Sequence, residues 1–123
     1  MVNFETSKVI KVDFLNERVE KDGPFDINST FNTSVNYDDE NKKCVCVYET
    51  YMESPDEKVD FKFEFKILGF FSYEGEDKKK IHVEAMQAFY PYVQTSVMNL
   101  MSAFGYPNFM LPKLVLSEED VNI

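Results

Sequence analysis

Between residues 25 and 37 the apolar side chains Phe25, Ile27, Phe31, Val35 and Tyr37 all stand on odd positions, and every even position is polar. Only an extended strand, whose side chains alternate between two faces, converts that pattern into one dry and one wet surface. The alternation returns at 58–71, where Val59, Phe61, Phe63, Phe65 and Ile67 oppose Lys58, Asp60, Lys62, Glu64 and Lys66. Two such strands commit the chain to a sheet with one face in need of cover. The run between them, 43–52, carries apolar groups on both faces (Val45, Val47 and Tyr51 against Cys44, Cys46, Tyr48 and Met52), as an inner strand would. Polar turns at 38–41 and 53–57 join these runs into an antiparallel meander. Lys8-Val9-Ile10-Lys11-Val12-Asp13-Phe14-Leu15 adds an earlier strand, set apart by Gly23-Pro24.

Past Gly75 the period changes. Glu76-Asp77-Lys78-Lys79-Lys80 reads as a solvated charge run, and from Pro91 onward Val93, Val97, Leu100, Met101 and Phe104 recur at helical spacing. Pro91 suits a helix's first turn, with a lead-in from Val83 as the longer option, and Gly105 followed by Pro107 suits its end. The expected fold is α+β, a four-stranded antiparallel sheet followed by one main helix. No linker or repeat interrupts residues 1–123, which predicts a single domain.

The partners are bounded by charge. A net charge of −9 and a single arginine, Arg18, argue against nucleic acid, which demands a concentrated basic surface. No stretch approaches the ~20 apolar residues needed to cross a bilayer. Met1-Val2-Asn3-Phe4-Glu5 lacks the basic start of a signal peptide, so a cytoplasmic protein is expected. Cys44 and Cys46 would share one strand face, too close in sequence to bridge without strain, and the lone His82 completes no metal set. Reduced structural thiols, no metal and no cofactor are expected.

Nor does the chain offer a catalytic constellation. His82 follows the charge run without an evident partner, Asp38 and Asp39 fall in a turn, and Gly23, Gly69, Gly75 and Gly105 are too scattered to cradle a phosphate. A non-enzymatic protein is expected. Twelve Phe and seven Tyr favour both strands and sticky interfaces. A helix of roughly 20 Å covers about half of a four-stranded dry face, so the remainder would need an oligomeric partner or an apolar ligand. Met86, Met98, Met101 and Met110 gather in the last third; flexible thioethers suit either a helix–sheet core or a surface that fits many partners.

Two segments carry a family resemblance. Phe65-Lys66-Ile67-Leu68-Gly69-Phe70-Phe71-Ser72-Tyr73-Glu74-Gly75 resembles the last sheet strand of the SecB-like export chaperones. Phe89-Tyr90-Pro91-Tyr92-Val93, through Gly105-Tyr106-Pro107-Asn108-Phe109-Met110-Leu111-Pro112, resembles that family's helix and the apolar loop behind it. The resemblance implies a subunit of a dimer of dimers, here a homodimer or homotetramer, that holds unfolded polypeptides such as preproteins without ATP. An alternative within the same fold is a dedicated adaptor, such as an antitoxin-specific chaperone with one partner. The positions matching the family's peptide-binding groove are Phe70 and Phe71 on the strand and Tyr106, Phe109, Met110, Leu111 and Leu114 on the loop. The family's second helix has only residues 117–123 to correspond to it, and its basic metal-binding tail has no counterpart.

Overall fold

The computed structural model describes residues 1–16, 27–55, 61–107, 109–114, 116, 117 and 119. Four strands, β1 (Val2–Asn16), β2 (Asn28–Asp38), β3 (Lys43–Glu53) and β4 (Phe61–Tyr73), precede one helix, α1 (Lys78–Ala103). The strands form one antiparallel sheet in the order β1-β4-β3-β2. β2, β3 and β4 make the expected meander. β1 lies beside β4 rather than beside β2, its neighbour in sequence, which is the connectivity of a Greek key. The expected strand positions Phe25, Asp26, Lys58, Val59 and Asp60 lie outside the described residues.

The chain resolves into two compact units, one of Met1–Ser7, Val35–Cys46 and Gly69–Ile123, the other of Lys8–Ser34 and Val47–Leu68, so each strand contributes to both. In the first, α1 lays a buried stripe of Ile81, Ala85, Met86, Phe89, Tyr90, Val93, Val97 and Met101. Phe89 meets Phe71 edge-on at 6.4 Å, and Phe4 meets Phe71 edge-on at 5.4 Å. Gly69 permits this approach, because a Cβ there would stand 2.4 Å from Cδ1 of Phe89. Cys44 and Cys46 are buried and free on the core face of β3. The hydrogen bond with Cys44, together with burial, pushes the Cys46 thiol up from its ordinary value. In the second unit the core is the odd face of β4, where Phe61, Phe63, Phe65 and Ile67 are all buried, together with Tyr48 and Met52 of β3. Phe14 packs edge-on against Phe61 at 5.6 Å.

The helix is longer than its sequence pattern suggested. It spans 26 residues and begins at Lys78, with Pro91 inside it rather than in its first turn. Asp77 caps the start by accepting the Lys80 backbone N–H at 3.3 Å, so Lys78, Lys79 and Lys80 of the charge run form the first helical turn, with Glu76 and Asp77 ahead of it. A helix of this length reaches ~39 Å rather than ~20 Å. Behind the cap, Tyr37, Tyr73, Asp39 and Lys78 tie the β2–β3 turn to the helix start. Tyr73 donates to Asp39 at 2.6 Å, Lys78 pairs with Asp39, and the Lys78 ammonium sits 4.3 Å from the Tyr37 ring centre. Burial pushes the Tyr37 phenol up to about 12.

Candidate polypeptide-binding surface

The end of α1 sets up the loop that follows. Gly105 adopts φ +103, in the left-handed region. The Gly105 N–H donates to the Ser102 carbonyl at 3.2 Å and the Tyr106 N–H to the Met101 carbonyl at 2.8 Å. These two bonds are the Schellman pair, which closes the last turn and reverses the chain. The tail then runs back beside its own helix. Tyr90 donates its hydroxyl to the Pro112 carbonyl at 2.6 Å, and Gln87 reaches the Leu116 carbonyl at 3.5 Å. A cleft of about 200 Å³ opens between them, lined by Gln87, Tyr90, Pro91, Gln94, Lys113 and Leu114.

The seven residues expected to line a groove do not stay together. Tyr106, Phe109, Leu111 and Leu114 are half-buried in the tail, while Met110 is 77% exposed. Phe70 is half-buried on the face of β4 opposite the core. Phe71 is 1% exposed, held between Phe4 and Phe89, and so cannot touch a client while the fold is intact. It belongs to the core, and the candidate surface loses it. The methionines divide as well: Met86 and Met101 are core residues, and Met98 and Met110 are exposed.

What the strand-and-loop motif missed is a gap in charge. From 85 to 112 the chain holds no Asp, Glu, Lys, Arg or His, although 28% of the whole chain is charged. The outward positions of α1 within this span include Pro91, Tyr92, Thr95, Met98, Asn99 and Ser102, all exposed. Tyr92 stacks on Phe4 at 4.1 Å and remains 42% exposed. Depletion of charge with enrichment of aromatic residues and Met is the compositional mark of an interface core. Counting charges along the sequence would have found it. Further exposed apolar groups lie on the strands, at Val9, Ile10, Val12 and Leu15 of β1 and at Phe31 of β2.

Burial lowers the pKa of His82 below its ordinary range, and no charged partner contributes to the shift. Among the described residues no three of His, Cys, Asp and Glu come together to hold a metal ion, and no helix is long and apolar enough to cross a membrane.

No family model and no curated protein matches the chain. Among solved structures, the chain is similar to the SecB-like chaperone Rv1957 of Mycobacterium tuberculosis, solved in complex with a ChAD peptide from the Rv1956 HigA1 antitoxin. The TM-score is 0.71 at 18% identity, over 92% of this chain and 90% of that one. A protein of unknown function from Streptococcus agalactiae is similar over 92% of this chain and 98% of its own, at 17% identity and a TM-score of 0.46. The fold is therefore SecB-like, as the two sequence segments implied.

Proposed function

We propose that this protein is a non-enzymatic, cytoplasmic chaperone that holds polypeptides with exposed apolar segments, without ATP. The observation that carries the reading is the uncharged strip of the helix and tail, 85–112, with Tyr92, Met98 and Met110 open to solvent on a SecB-like fold. Capture by such a surface is hydrophobic and tolerant of sequence, at ~25 cal/mol per Å² of apolar surface removed from water. Tyr106, Phe109, Met110, Leu111 and Leu114 are the tail residues that contact the client, with Phe70 at the margin. The exposed helix face pairs with a second copy, giving a homodimer or homotetramer.

Two client classes fit: unfolded chains in general, preproteins among them, or one dedicated partner. The peptide in the similar chaperone comes from an antitoxin, and this favours the dedicated class.

The test is suppression of aggregation of an unrelated denatured protein in the absence of nucleotide. Replacing Phe109 and Leu111 with Ser is expected to weaken capture by about 1–3 kcal/mol while leaving the oligomer intact, since burial of each side chain is of that order. If the wild type protects no unfolded client but binds one defined partner, the general holdase falls and the dedicated adaptor stands. If the double replacement dissolves the oligomer, these residues belong to a subunit interface and not to a client surface.

A further inference from the structure

Among the described residues the sheet ends in two edge strands, β1 and β2, each with a strand neighbour on one side only. An edge presents a row of backbone N–H and C=O groups to any extended chain, and proteins usually shield it with charge, proline, a bulge or a covering segment. β1 carries Glu5, Lys8, Lys11 and Asp13 along its length. Among the described residues β2 has no such protection over its first seven positions. Asn28-Ser29-Thr30-Phe31-Asn32-Thr33-Ser34 contains no charge and no proline, and all seven residues are exposed.

Two features beside this edge say what fits it. On one face Phe31, 57% exposed, lies nearly parallel to Tyr48, with ring centres 6.0 Å apart, and offers an aromatic platform. A cleft of about 250 Å³ also adjoins Thr30 and Phe31, and its charges are already matched, Lys11 with Glu64 at 2.7 Å and Lys66 with Glu49 at 3.5 Å. The edge therefore presents backbone hydrogen-bonding groups and an aromatic ring, with no net charge to satisfy. Seven residues give a seam of ~24 Å. A single added strand of that length falls short of the ~1,200–2,000 Å² that a stable complex of folded partners buries, so the occupant is a segment of flexible chain rather than the body of a second copy.

We propose that the 28–34 edge of β2 docks an extended, uncharged polypeptide segment as a fifth strand, with one apolar side chain of the segment seated over Phe31. The mode is β-augmentation, in which main-chain hydrogen bonds hold the segment and alternate side chains select it. The segment's origin in a chaperone client rests on the function proposed above; the docking geometry does not.

A blocked, fluorescein-labelled Thr-Val-Thr-Phe-Thr-Val-Thr peptide is the probe, measured by anisotropy against the full chain. Two further peptides carry N-methyl groups on the amides of one edge or of the other. Methylation of the pairing edge is expected to weaken binding at least tenfold, and methylation of the opposite edge to leave it within twofold. The variant Asn32→Lys with Ser34→Lys is expected to weaken the parent peptide at least fivefold with unchanged thermal unfolding. Failure of the parent peptide to bind, equal binding of all three peptides, or equal binding by the variant overturns the proposal. Loss of the oligomer in the variant also overturns it, because the edge would then pair with another copy. If the wild type suppresses aggregation while the peptides behave alike, the chaperone reading survives and strand docking falls. Edge-selective methylation effects without aggregation suppression give the reverse.

Discussion

Gly69 and Phe89 show how closely a single position can be specified. The Cβ missing from Gly69 would lie 2.4 Å from Cδ1 and 2.6 Å from Cε1 of the Phe89 ring, and both sites are buried. Gly69→Ala is expected to destabilise the fold by about 1–3 kcal/mol, the usual effect of overpacking a core. Adding Phe89→Leu should return part of that loss, because the smaller side chain vacates the contested space. Denaturant unfolding of the two single variants and the double variant checks this, and strictly additive losses would refute the steric account. Phe70 and Phe71 carry a lesson about reading residues. Parity along β4 places Phe71 with Phe61, Phe63, Phe65 and Ile67, all buried, and turns Phe70 the other way. Alternation already contained that answer. Grouping the two phenylalanines in one groove followed a motif that is contiguous in sequence, whereas successive strand residues point to opposite faces.

The strands were legible as elements because period two is a direct image of strand geometry, and the expected runs at 43–52 and 8–15 fall within β3 and β1. The place of β1 beside β4 was not, since local periodicity says nothing of how the long connection after β1 runs. For α1 the stop was legible, as Gly105 has the φ that a helix terminator needs. The start was misjudged because Pro91 is at home in a first turn and also survives inside a helix when tertiary packing holds the turns on either side. Ile81, Ala85, Met86, Phe89 and Tyr90 already kept helical spacing before it. Pro91 is exposed, and as a proline it has no N–H to give the Gln87 carbonyl. Pro91→Ala should restore that bond and raise stability by up to about 3 kcal/mol. A rise in melting temperature is the expected reading. A fall would show that the ring supports the cleft shared with Lys113 and Leu114.

For the molecule as a whole, fold class was readable from pattern, while the proposed client surface was not, because the tail's contacts with Gln87 and Tyr90 are not local in sequence. Charge distribution was readable and carries a consequence for assembly. Each copy bears −9, yet none of that charge lies on 85–112. If copies meet through the helix face, as proposed above, they are pushed apart only by distant charges, and no interfacial ion pair draws them together. Mobile ions screen exactly that kind of repulsion: the Debye length contracts from about 10 Å at 0.1 M to about 3 Å at 1 M. The midpoint of self-association, followed by sedimentation, should move to lower protein concentration as ionic strength rises. Association that weakens on adding salt would instead place the contact on the charged outer face, where Lys11, Glu64, Lys66 and Glu49 would exchange partners between copies. The protein would then be most fully assembled in dilute buffer, and the uncharged helix would be left for the proposed clients.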